Sequence, residues 1–528
     1  MNLVLCADTV HTLAGDDRPV QAIAITGGVV TAVGTRRDVR DWRGPGTEVV
    51  DLGGATVTPG LIDAHTHPVM GVQLTADVDL SAARSLDEVE HLLATAAAGR
   101  APDEWLQAWG LDPNVFGDRP VTSAPIEAAV GGRPAFVRLF DAHSALATPA
   151  ALRIAGVDGP RRFAQRSSVV CDEDGRPTGL LLEAAAMDLV TAHVPRQPVA
   201  DRAARLRALL GEMAATGLTG GHVMDLLGDS AEVVAAAEDL GDLPLRLRFA
   251  PWCEPGAEAE QLAELIALQG RGGRRWEIGG VKFFIDGTID NGTAWLEEPD
   301  AHGESTDSFW TDPAAYTKAV HVLAAAGVPT ATHAIGDAAV RYALDTLDGL
   351  DSPAAAPHRI EHIETLPTEL IGRFRRQGVV ASMQPAHTHF TRADHTDNWS
   401  SRLGHERADR GWRCRDLRDA GVPVVLGSDW PIAPFDPRGT LAAAQLRRPA
   451  GEPEIPPVQP HQGLTPLMAL EGYTSLAAAA AGAIGGITIG ARADLTAFTL
   501  DPLRTAPDEL ADAPIAMTIV DGTIIHRR

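Results

Sequence analysis

Lysine is nearly missing from this 528-residue chain: of 45 basic residues, only Lys282 and Lys318 are lysine. Net charge is −25, and nucleic acid or anionic lipid binds through clustered cations, so neither is an expected partner. Cysteine is scarce as well. Cys6, Cys171, Cys253 and Cys414 lie far apart, without the Cys-x-x-Cys spacing of a zinc knuckle or redox pair, and read as reduced thiols. No apolar run approaches the ~18 residues needed to span a bilayer, which excludes a membrane-spanning role. The opening MNLVLCADTVHTL has no basic flank and its apolar stretch is too short for export, so it reads as the first strand of a cytoplasmic protein.

The composition is that of a globular protein, 45% hydrophobic and 22% charged. Its length suits about three domains, or one large barrel with additions. Both ends share a style. VQAIAITGGVVTAVG reads as a hairpin around Gly27-Gly28, and ADLTAFTL with IAMTIVDGTIIH repeats the pattern around Asp521-Gly522. The two ends are expected to form one small sheet domain, from residues 1–56 and 486–528.

Between them, strand-like runs alternate with Ala- and Leu-rich helical stretches, the pattern of βα units and a parallel sheet. Eight runs stand out: ATVTPGLIDAHTH, LTGGHVMD, LRLRFAPW, GGVKFFIDG, VPTATHAIGD, PHRIEHIE, GVVASMQPAH and VPVVLGSDWP. Eight units predict an α/β fold of the closed (β/α)8 type over 57–485. The gap between the first and second runs is too long for one helix and its loops. Residues 70–185 are therefore expected to be an inserted subdomain over the barrel mouth.

The first run ends in Asp63-Ala64-His65-Thr66-His67. Residues two apart on a strand face the same side, so His65 and His67 can share a metal ion. Three further runs end in metal-type residues: His333, His362 and Asp429. Singly, each reads as a satisfied core histidine or a capping aspartate. Jointly they are four imidazoles and a carboxylate at corresponding ends of predicted parallel strands, where barrel active sites lie.

Lys282 sits inside the apolar VKFFI, where an unpaired buried ammonium costs several kcal/mol. An ammonium cannot ligate a cation, but a lysine carbamate is an anion able to bridge two divalent ions. Pairing with Asp286 or Glu361, or snorkelling to the barrel mouth, are the structural alternatives. Lys318, in the helix-like AAYTKAVHVL, reads as an ordinary exposed cation.

PGLIDAHTH, GGVKFFIDG, THAIGD, RIEHIE, SMQPAH and LGSDWP, with the end-domain strands, resemble the amidohydrolase superfamily, in particular its YtcJ-like branch. RPAFVRLFDAHSALATPAALRIAG and DEDGRPTGLLLEAA are similar to that branch's inserted segments. The resemblance implies a TIM barrel with a composite β-sandwich from both termini. It also implies a pair of metal ions, expected to be zinc. His65 and His67 with Asp429 would hold one, His333 and His362 the other, and a carboxylated Lys282 would bridge them.

The implied activity is hydrolysis of a C–N bond, in an amide, N-substituted formamide or similar small molecule, by metal-activated hydroxide. Asp429 would act as general base and then acid. A deaminase or cyclic-amide hydrolase, and a non-catalytic binding scaffold, are the competing readings. Asp141 and His143 in the insertion, His387 after the seventh run, and Trp430 beside Asp429 are the expected substrate contacts. His389 is a weaker one. Trp109, Trp252, Trp295 and Trp310 are read as core. The loop DGTIDNGTAWLEEP lacks the Arg found in the branch's DGSLGSRTA type, so no group gripped by that Arg is expected. A homodimer is the oligomer considered.

Overall fold

A computed structural model describes residues 2–15, 18–117, 119–350 and 356–528. Strands from the two chain ends lie in a common region. One four-stranded sheet runs Val29–Gly34, Ala22–Thr26, Asn2–Cys6, Thr47–Asp51; a five-stranded sheet runs Thr9–Val10, Thr56–Pro59, Leu495–Phe498, Ile515–Val520, Thr523–Arg527. The first hairpin turns at Gly27 and Gly28, both at positive φ (58° and 80°), which suits a tight two-residue turn that side chains would strain. Leu5, Ile25 and Val50 of one sheet share an apolar core with Val57, Leu495 and Met517 of the other.

The first predicted strand is in fact two. Thr56–Pro59 pairs with Leu495–Phe498 in the terminal sheet, whereas Leu61–Thr66 pairs in parallel with Leu218–Val223. Gly60 is the joint: its N–H donates to the Asp494 carbonyl, and a Cβ there would meet the Thr219 side chain at 2.2 Å. The Lys282 run forms the single strand Val281–Phe284, and a separate short strand, Trp276–Ile278, precedes it across Gly279 and Gly280, with Gly280 at φ 117°.

Two parallel sheets carry the central part of the chain. One is ordered Trp276–Ile278, Arg246–Phe249, Leu218–Val223, Leu61–Thr66; the other is Val281–Phe284, Thr330–Ala334, Arg359–His362, Val380–Met383, Val424–Leu426. Helices such as Pro313–Ala325, Asp337–Leu347 and Thr368–Gln377 alternate with the strands. Their ends follow local chemistry. Asp312 caps Pro313–Ala325 by accepting from the Ala314 N–H with Pro313 in the first turn, and Gly378 closes Thr368–Gln377 at φ 65°.

Backbone hydrogen bonds link the two sheets at both sides. Lys282 N–H donates to Pro251 O and Cys253 N–H to Lys282 O, both 2.9 Å; Asp429 N–H donates to His65 O at 2.7 Å and His67 N–H to Trp430 O at 2.9 Å. A six-stranded sheet, built from strands between Val78 and Leu182, has apolar clusters of its own around Leu93, Val137 and Leu181. Among the described residues no helix is long and apolar enough to cross a membrane, and all four cysteines are free thiols.

Candidate metal centre

Five of the parallel strands supply the candidate ligands, four of them at or just past the C-terminal end. His65 and His67 close Leu61–Thr66, Lys282 lies in Val281–Phe284, His333 in Thr330–Ala334, His362 at the end of Arg359–His362, and Asp429 just past Val424–Leu426. All six border one cavity of about 240 Å³. Ligand atoms of His65, His362 and Asp429 lie within 4.8 Å of one another. His67 Nε2 stands 3.1 Å from Asp429 Oδ1, and the His333 ring centroid is 4.4 Å from that of His362. His362, Ile363 and Asp429 adopt positive φ (73°, 52° and 58°), strain of the kind that clusters at functional sites.

The hydrogen bonds orient the rings. His65 Nδ1 meets Glu361 Oε2 at 2.6 Å, which leaves its Nε2 facing Asp429 at 3.4 Å with no hydrogen-bond partner. His333 Nε2 is engaged by the Gly287 carbonyl at 3.2 Å, so Nδ1 is the nitrogen left to offer a lone pair. His67 Nδ1, His362 Nδ1 and Lys282 Nζ are buried and without hydrogen-bond partners. Native proteins rarely leave such atoms unsatisfied, and their convergence marks a place for an ion.

Electrostatics sharpen this. Burial, with the Lys282 charge, brings His65 down to about 4, and burial takes His362 and His333 well below the ordinary imidazole value. These rings are therefore neutral, the form that ligates. His67 goes up to about 9, because its contacts with Asp225 and Asp429 outweigh burial. Asp429 is also buried, yet His65 and His67 hold it below the usual carboxylate range. Burial lowers Lys282 to about 8.

Both proposed anchors for Lys282 are occupied elsewhere. Asp286 accepts the backbone N–H groups of Trp295, Ile335 and Gly336, and Glu361 is held by Arg359 and His65. The ammonium instead lies 4.8 Å from the Phe284 ring centroid. Snorkelling fails too, since Lys282 is fully buried.

Of the expected substrate contacts, Asp141, His143 and His387 line the cavity. His143 Nδ1 is fixed by Glu183 Oε2 at 2.8 Å, and Asp141 is bonded to Asn291 and Thr288. Trp430 is not brought to the cavity wall: it packs over Gly71, where a Cβ would clash, and against Phe435. Trp252, Trp399 and Trp412 line the wall instead. His222 lies beneath the centre, its Nδ1 2.9 Å from Arg359 Nη1.

Sequence reading passed over Glu361, Arg359, Glu183 and Asp225 as parts of the centre. Arg359 and Glu361 had a usable signal, since opposite charges two apart in a buried strand face the same side. Asp225, 3.7 Å from His67 Nδ1, and Glu183 lie far away in sequence, and only the fold reveals them.

An α/β architecture with histidines, a lysine and an aspartate converging on one cavity defines the class of a scaffold with a candidate metal site. The profile of the amidohydrolase family matches residues 48–526, and the chain belongs to that family. It is 29% identical to YtcJ of Bacillus subtilis (strain 168), with 98% of each chain covered. It is 27% identical to N-substituted formamide deformylase of Arthrobacter pascens, covering 100% of this chain and 98% of that one. Its fold is that of a solved metal-dependent hydrolase from Pyrococcus horikoshii OT3, at TM-score 0.74 and 24% identity over 96% of this chain and 99% of the other.

Proposed function

We propose that the chain is a metal-dependent hydrolase of a carbon–nitrogen bond in a small amide or N-substituted formamide. The two parallel sheets are read as one closed (β/α)8 barrel, supported by the hydrogen bonds that join them at both sides. The terminal sheets are read as a composite β-sandwich (1–56 and 486–528) and residues 70–185 as the insertion over the barrel (57–485).

The observation that carries the reading is the convergence of unpartnered buried donors, His65 Nε2, His362 Nδ1 and Lys282 Nζ, beside Asp429. Imidazoles and a carboxylate suit zinc. His65, His67 and Asp429 would hold one ion and His333 and His362 a second, with Lys282 bridging as a carbamate. A divalent ion there supplies Lewis acidity, making water nucleophilic near neutral pH and polarising a carbonyl oxygen.

The chain's own residues do the rest. Asp429 would accept the proton of the attacking water as the new C–O bond forms and the carbonyl π bond opens, and would return it to the leaving nitrogen as the π bond re-forms and the C–N bond breaks. Glu361 fixes the tautomer of His65, keeping Nε2 turned inward. His143, held by Glu183, lines the cavity beside His333, 5.2 Å between centroids. The aromatic wall excludes water from the bound amide.

The test is a screen of N-substituted formamides, amides and cyclic amidines, with products identified. Release of an amine and an acid supports the reading. Ammonia from an amidine substrate marks the deaminase alternative, and absence of any divalent ion in protein purified under metal-replete conditions sinks both.

A further inference from the structure

The wall of the cavity beyond His362 carries negative charge that the metal centre does not use. Asp290 lies in the loop after Val281–Phe284, and Glu364 is two residues past His362; both line the cavity. Each spends one oxygen on a neutral donor. Asn398 Nδ2 donates to Asp290 Oδ1 at 3.1 Å, and Trp399 Nε1 donates to Glu364 Oε2 at 2.7 Å. The second oxygen of each has no hydrogen-bond partner among the described residues. The His387 imidazole, 3.9 Å from Glu364 Oε1, is the one basic group within ion-pair distance of either carboxylate among those residues.

Glu364 is only 8% exposed, so its free oxygen faces the cavity rather than bulk water. Two carboxylates sharing a low-dielectric wall repel one another. The aromatic surround is of a kind that favours a cation. Trp399 and Trp412 stack at 4.4 Å between centroids, and Phe390 sits 4.5 Å from Phe140; all four border the cavity. Aromatic faces attract organic cations, most strongly where water is excluded. Arg138, the arginine of the cavity lining, is placed over the Phe136 ring instead.

We propose that Asp290 and Glu364, with the Trp399–Trp412 face, form a subsite for an alkylammonium group, so the amide cleaved is one that carries a positive charge. The proposal rests on the hydrolase reading for its consequence, but the subsite is testable by binding alone. An ammonium seated there meets two free carboxylate oxygens beside the stacked Trp399–Trp412 pair, and removes the repulsion between the acids. A neutral ligand of the same shape leaves both carboxylates without a counter-charge.

The experiment titrates the full-length chain with 2-phenylethylammonium and with neutral 2-phenylethanol, followed by tryptophan fluorescence and calorimetry. The cation should bind at least about tenfold tighter. That preference should be lost in the double variant Asp290→Asn/Glu364→Gln, whose amides still accept from Asn398 and Trp399. Should the double variant not fold, Asp290→Asn alone should lose part of the preference. Equal affinity for the two probes, or a preference that survives in the folded variants, overturns the subsite. Charge-dependent binding without hydrolysis of any amide would leave the subsite standing and remove the hydrolase reading. Hydrolysis indifferent to substrate charge would do the reverse.

Discussion

Lys282 and Arg359 are two buried cations in one parallel sheet, separated by a single strand, and the fold treats them in opposite ways. Arg359 is fully engaged: Glu361 through two nitrogens, the Ala64 carbonyl, Ser382 Oγ and His222. Lys282 Nζ has no hydrogen-bond partner. A structural cation is recognised by satisfied donors, because burial without them costs several kcal/mol. A cation left unsatisfied beside ligand-type residues points to chemistry that the polypeptide alone does not complete.

The comparison is broken most severely at Arg359. Arg359→Met strands the Glu361 carboxylate in the interior, and should cost about 3–5 kcal/mol, read as a lowered denaturant midpoint. Lys282→Met should do the converse. With no partner to abandon, the stability of the metal-free protein should change by less than about 1 kcal/mol, while kcat/KM falls by about a hundredfold or more as the proposed bridging ligand is lost. Lys282→Arg should fail equally, since a guanidinium keeps its charge and forms no carbamate; full metal content and activity in that variant would refute the assignment.

Glu361→Gln tests the link between the two regions. Its amide still reaches His65 but gives up the charge facing Arg359, so metal affinity should drop by about 10–100-fold in a chelator competition. Lys318→Ala is expected to have the smallest effect, within about 0.5 kcal/mol and without change in activity, because that lysine is exposed on the helix Pro313–Ala325.

Much of this contrast was legible in the sequence. Strand-end histidines two apart, and a lone lysine in an apolar run, announce themselves by periodicity and by the cost of burial. What escaped depends on distance in the fold. Gly60 divides the first strand because Thr219, far along the chain, leaves no room for a side chain. Trp430 looked like a substrate contact by adjacency to Asp429, yet its ring turns towards Gly71, while Trp399 and Trp412 reach the cavity from a helix and loop with no comparable signal. The pairing of Glu183 with His143 likewise requires the insertion to be folded before it can be seen.

The central claim is that Lys282 belongs to the metal centre, as Arg359 belongs to the scaffold. Its most direct test is metal content per chain for the wild type and Lys282→Met, both purified in metal-replete, bicarbonate-containing buffer, with thermal melts run alongside. The account predicts two divalent ions in the wild type and a clear loss in Lys282→Met, with the two proteins melting at the same temperature once a chelator has stripped both of metal. A wild type that holds no divalent ion, or a variant that holds as many as the wild type, would contradict it.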